Sequence, residues 1–145
     1  ENSIQSSILQ KTAWYATVME KVTVLIIEDD TDLREAIATA LERESFTVLQ
    51  SSDGERGYQT AIAKHPDVIL LDIVMPNMNG HQTLERLRND PWGKDAKVIF
   101  LTSLGDAKNV TQAVAKGSDE YIIKSHASLA DIVSKVKQVL HGYEI

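Results

Sequence analysis

The chain of 145 residues contains no cysteine, which excludes a disulfide scaffold, a thiol nucleophile and a zinc site built on thiolates. Aromatic residues make up only 6%, and proline and glycine number 3 and 7, too few for collagen-like or Pro/Gly-rich disordered chains. No apolar run approaches the ~20 residues a membrane-spanning helix needs. A basic stretch leading into an apolar one is also missing from the first residues, so no secretory signal is legible. Positive charge is the scarcer sign. Fifteen Lys and Arg against 21 Asp and Glu leave a net charge of −6, which disfavours non-specific binding to nucleic acid or an anionic membrane. What is present is 43% apolar and 25% charged residues, ordinary usage for one globular domain. The expectation is a cytoplasmic domain, a monomer or weak dimer, with no direct contact to nucleic acid or membrane.

Residues 1–20 are rich in Ser, Thr and Gln and read as an N-terminal extension or linker. Ile4, Ile8, Tyr15 and Met19 fall roughly on one helical face, the pattern of a short amphipathic helix. The charges of Glu1 and Lys11 cancel, so the acidic excess belongs to the rest of the chain.

From Val22 onward, short apolar runs alternate with amphipathic stretches. The runs 22–27 and 68–71 are β-branched or apolar almost throughout, as strands covered on both faces should be, 47–50 reads as a weaker strand, and 97–101 and 120–123 as the fourth and fifth. Helical periodicity fills 32–44, 55–64, 81–89, 106–116 and 128–141, with Gly117 a left-handed cap after the fourth. In the last, Leu129, Ile132, Val133, Val136 and Leu140 form the inward stripe. Five strands alternating with five helices predict an α/β fold: a five-stranded parallel sheet, doubly wound, with helices on both faces. Ligands in such folds sit beyond the carboxyl ends of the strands, where strand order reverses. The residues there are Glu28, Asp29 and Asp30, then Asp72, then Thr102 and Ser103, then Lys124 and Ser125.

Carboxylates converging within a few ångströms repel one another, and a bound divalent cation removes the conflict. Oxygen ligands without His or Cys select a hard ion such as Mg²⁺. Glu28, Asp29 and Asp72 carry three negative charges, which Mg²⁺ and Lys124 together would match. A phosphoryl group on Asp72 would then lie within reach of the metal, Lys124 and the Thr102 hydroxyl, and phosphoryl transfer depends mostly on such positioning.

Residues 21–142 resemble the receiver domain of two-component response regulators, which has a flavodoxin-like fold. The resemblance is carried by LIIEDD ending at Asp30, LLDIVMPNMNG around Asp72, FLTS around Thr102 and DEYIIK ending at Lys124, in that order and spacing. It implies a signalling domain rather than an enzyme, one that assists its own phosphorylation and dephosphorylation. Asp72 is the implied phosphoryl acceptor, with a sensor histidine kinase or histidine phosphotransfer protein as donor and an unknown downstream protein as target. Glu28, Asp29, Asp72 and the Val74 carbonyl are the implied Mg²⁺ ligands, with Glu28 acting through a metal-bound water. Thr102 and Lys124 would bind phosphoryl oxygens, and Tyr121 holds the switch-aromatic position. Two features depart from the usual pattern. Ser125 replaces the proline that normally follows the lysine, where a non-proline cis bond would cost ~2.5–4 kcal/mol. Lys124 is nonetheless expected to reach the site. Val74 and Leu104 are apolar where many relatives carry water-orienting side chains, which implies a long-lived phosphoryl group.

Plainer readings stand beside these. Asp72 alone would be a turn former, and Lys124 alone a solvated lysine. His65, His81, His126 and His141 are scattered and read as surface residues, and Trp92 as a loop anchor. An aspartyl-phosphate hydrolase would carry a second aspartate at position 74, which is valine, and a nucleotide-binding domain would carry a Gly-rich loop after the first strand. A degenerate receiver serving as a phosphorylation-independent binding platform is the remaining alternative. The chain length suits a stand-alone receiver or a piece of a longer protein.

Overall fold

The computed structural model describes residues 10, 11, 13, 22–103 and 120–141. The stripe of Ile4, Ile8, Tyr15 and Met19, the helix expected over 106–116, and Leu104 lie outside the described residues. The elements are β1 (Thr23–Ile27), α1 (Thr31–Arg43), β2 (Thr47–Ser51), α2 (Gly54–Lys64), β3 (Val68–Asp72), α3 (Gly80–Arg88), β4 (Val98–Thr102), β5 (Glu120–Ile123) and α4 (Leu129–His141). Short 3₁₀ turns occupy Gly93–Asp95 and Lys124–His126. The sheet is five-stranded in the order β2-β1-β3-β4-β5, and every pairing is parallel.

Side chains alternate across a strand, and here the alternation sorts the core into two layers. Val24, Ile26, Val68, Leu70, Ile99 and Leu101 face α1 and α4, where Ile37, Leu41, Ile132 and Val136 meet them. Leu25, Ile27, Ile69, Leu71, Val98 and Phe100 face the other way, against Ala61 of α2 and Leu84 and Leu87 of α3. β3 and β4 are buried along their whole length, which is why they read as unbroken apolar runs rather than alternating ones.

The helix starts are set by side-chain caps. Asp30 accepts from the Leu33 N–H at 3.2 Å and Asp53 from the Arg56 N–H at 2.8 Å. Asn79 and Gln82 form a reciprocal capping box, and Ser128 and Asp131 exchange the equivalent pair of bonds ahead of α4. Each such cap satisfies an otherwise orphaned amide and stabilises its helix by about 1 kcal/mol. Asp30 is thus committed to α1, which separates it from the acidic pair that precedes it.

Two expectations are corrected, the burial of Leu129 and the exposure of His81. Leu129 is 41% exposed: it opens α4 and lines the groove between α1 and α4 beside Ala40, Arg43 and Glu44. His81 is buried at 8% exposure, with its ring 5.4 Å from that of Phe100. The cause is the neighbouring Gly80, where a Cβ would lie 2.4 Å from the Asp72 carbonyl oxygen. Glycine lets the start of α3 press against the end of β3, and the next side chain is carried into the core with it. His65, His126 and His141 are exposed. Trp92 stacks on His65 with ring centroids 4.5 Å apart.

Candidate functional site

β1 and β3 are neighbours, yet β2 lies on the outer side of β1 and β4 on the outer side of β3. The chain therefore leaves β1 and β3 in opposite directions, which opens a crevice at their carboxyl ends. Glu28 and Asp29 follow β1, and Asp72 is the last residue of β3. One carboxylate oxygen from each of these three residues lies within 4.8 Å of the others. Glu28 is fully buried and Asp72 is 3% exposed, while Asp29 is exposed.

Lys124 follows β5 in a 3₁₀ turn, and the peptide bonds of the described residues are trans. Ser125 in place of proline leaves the lysine pointing into the crevice. Its Nζ lies 2.6 Å from Glu28 Oε1 and 3.0 Å from Asp72 Oδ1. The Asp30 N–H donates to Glu28 Oε2 at 3.3 Å, and the Val74 N–H to Asp72 Oδ1 at 3.4 Å. Thr102 sits one residue past Leu101, the register partner of Asp72. It is 1% exposed, and its hydroxyl contacts the Ser103 carbonyl oxygen at 3.5 Å. Val74 is 63% exposed and Tyr121 37%, so the first stands at the mouth of the crevice and the second on the β5 edge.

The electrostatics express the crowding. Burial first, then the hydrogen bond and negative charge of Glu28, push the Asp72 carboxyl up to about 8, against a smaller downward pull from Lys124. Burial works to raise Asp29 too, but hydrogen bonds with Glu28 and Asp72, its own backbone amide and the Lys124 charge together hold it below the usual range. Burial works to lower Lys124, and its bonds to Glu28 and Asp72 outweigh that and raise it. Two buried carboxylates sharing one ammonium are undercompensated in charge. An all-oxygen donor set with surplus negative charge fits a hard divalent cation. The chemistry of the donors, and not only their proximity, is what fits.

The sequence profile of the response regulator receiver domain matches residues 24–137. The chain belongs to this family. Its receiver domain is 34% identical over 118 residues to the Phosphate regulon transcriptional regulatory protein PhoB of Pseudomonas aeruginosa, spanning 81% of this chain and 51% of that protein. The chain spans about half the length of the curated relatives it matches. Among solved structures, the receiver domain of a signal transduction histidine kinase from Syntrophus aciditrophicus superposes with a TM-score of 0.76 at 28% identity, covering 85% of this chain and 92% of that one. The receiver domain of a sensor histidine kinase from Pseudomonas aeruginosa, solved with a magnesium ion in its active-site cleft, gives 0.76 at 20% identity over 83% and 98%, a likeness of fold. Receiver domains are phospho-accepting signalling modules of two-component systems, and the acidic crevice of this one lies where the doubly wound fold places its ligands. No helix among the described residues is long and apolar enough to cross a membrane.

Sequence reasoning passed over Arg34. The receiver holds it in the second turn of α1, where Nη1 donates to the Glu28 carbonyl at 2.8 Å and Nε to Gln50 Oε1 at 3.1 Å. Its legible signal is slight: an arginine one helical turn after the capping Asp30, behind an acidic pair.

Proposed function

We propose that this chain is a phosphoacceptor that takes a phosphoryl group on Asp72 in a Mg²⁺-dependent reaction and thereby changes a partner-binding surface. The observation that carries the reading is the Lys124 ammonium held between the buried Glu28 and Asp72 carboxylates. The receiver is assigned to 21–142, with 1–20 an extension or linker. The donor is a histidine kinase or histidine phosphotransfer protein, and the setting is cytoplasmic.

Glu28, Asp29 and Asp72, with the Val74 carbonyl, would hold the cation. When bound, the cation supplies positive charge to the carboxylates and to the phosphoryl oxygens. An Asp72 Oδ attacks phosphorus as its carboxylate, forming an O–P bond while the bond to the donor's imidazole nitrogen breaks and its electron pair leaves with the imidazole. Lys124 is already 3.0 Å from Asp72 Oδ1, close enough to pair with a phosphoryl oxygen after transfer. The Thr102 hydroxyl, resting on the Ser103 carbonyl, is freed to donate to another. Its displacement would let the half-exposed Tyr121 ring turn inward, linking the chemistry to the β5 edge.

The test is intact-mass analysis after incubation with a small acyl phosphodonor. Addition of one phosphoryl group in the presence of Mg²⁺, lost with a chelator and in Asp72→Asn, is expected. Labelling that persists in Asp72→Asn would overturn the assignment. A wild-type chain that stays unlabelled would instead favour the phosphorylation-independent platform.

A further inference from the structure

β1 ends at Ile27, and Glu28 leaves the sheet with both of its backbone polar groups held. Its N–H donates to the Ser51 carbonyl at 3.1 Å, and its own carbonyl accepts from Arg34 Nη1 at 2.8 Å. The same guanidinium reaches across to Gln50 Oε1 through Nε at 3.1 Å. One planar group thus ties the loop after β1 to β2, from a helix whose start is fixed by the Asp30 cap. Beyond this anchor the Glu28 side chain is fully buried, and it directs Oε1 to Lys124 and Oε2 to the Asp30 N–H. A carboxylate confined in this way is aimed by its backbone, because the packed core leaves its side chain little rotamer freedom.

We propose that Arg34 is a positioning residue for the divalent-cation site, acting through the Glu28 carbonyl to keep the buried Glu28 carboxylate in place beside Asp29 and Asp72. The inference rests on the Mg²⁺ reading above and extends it to a residue that does not touch the ion. Outer partners that orient metal ligands typically alter affinity by about 10–100-fold when removed. A lysine at this position would keep the charge but lose the rigid fork that spans two acceptors.

Calorimetric titration of the full chain with MgCl₂ tests this, with the metal-free melting temperature of each variant measured alongside. Arg34→Ala is expected to weaken Mg²⁺ binding by about tenfold, Arg34→Lys to recover part of the loss, and Gln50→Ala to show a smaller loss by freeing one arm of the fork. A merely structural arginine would lower the melting temperature and leave the affinity of the folded molecules unchanged. Wild-type affinity in all the folded variants therefore overturns the proposal. Should Arg34→Ala fail to fold, Arg34→Lys and Gln50→Ala decide it by the same criterion. A wild-type chain giving no Mg²⁺ heat overturns the Mg²⁺ reading and this one together, whereas tight wild-type binding with unaltered variants overturns this one alone.

Discussion

Replacing Asp72 with asparagine should make the metal-free protein more stable, although it removes the phosphoryl acceptor. In the folded chain burial and the Glu28 charge push Asp72 from 3.8 to about 8. An acid whose folded pKa is raised binds more protons folded than unfolded across that window, so stability falls as pH rises through it. Each unit of pKa is worth about 1.4 kcal/mol, which sets a ceiling of about 4 kcal/mol on the penalty at pH 7. Relaxation of the carboxylates toward solvent lowers this to a predicted gain of about 2 kcal/mol for Asp72→Asn. For a domain of this size that corresponds to a rise in Tm of roughly 4–8 °C. Calorimetric melts at pH 5, 7 and 8.5 in chelator supply the assay. The advantage of the variant should be small at pH 5, grow toward pH 8 and then level off. Added Mg²⁺ should reverse the order, since the ion stabilises only the chain that binds it. An Asp72→Asn chain no more stable than wild type at pH 8.5 without metal would refute the claim that the buried carboxylates are undercompensated.

Three further outcomes are expected. Lys124→Met leaves Glu28 and Asp72 without their shared cation; because the lysine is 23% exposed, the metal-free loss is set at about 2 kcal/mol, below the range for fully buried pairs, and denaturant melts should show it shrinking when Mg²⁺ is added. Gly80→Ala places a Cβ 2.4 Å from the Asp72 carbonyl and should cost about 1–3 kcal/mol, with slower phosphoryl uptake measured by mass spectrometry. Exchanging Val74 and Leu104 for glutamate and asparagine should speed loss of the phosphoryl group, followed by intact mass over time, and an unchanged lifetime would count against the role given to these two positions.

Much of the fold was legible because periodicity is strong where burial is complete. The apolar runs at 68–71 and 97–101 lie within a residue of β3 and β4, which are covered on both faces. The helices expected from 32, 55 and 81 begin within a residue of those positions, because the caps that start them, Asp30, Asp53 and Asn79, act locally. The doubly wound sheet then brought Glu28, Asp29 and Asp72 together, since strand order alone decides which loops converge. What depends on tertiary contact was not legible. The inward position of His81 follows from the close approach of Gly80 to β3, and no periodicity encodes that. Leu129 fits the helical stripe but occupies the first residue of α4, at the rim of the α1–α4 groove. Arg34 resembles any helical surface arginine in sequence, and only the path of the chain after β1 turns it toward the Glu28 carbonyl.

The central claim, that Asp72 itself receives the phosphoryl group, is tested most directly by trapping the acyl phosphate. The chain would be phosphorylated with Mg²⁺, reduced with borohydride, digested and mapped by peptide mass spectrometry, a reduction that converts an aspartyl phosphate to homoserine. Homoserine at position 72, absent when Mg²⁺ or the phosphodonor is withheld, is the predicted result. Homoserine at another aspartate, with Asp72 recovered intact, would contradict it.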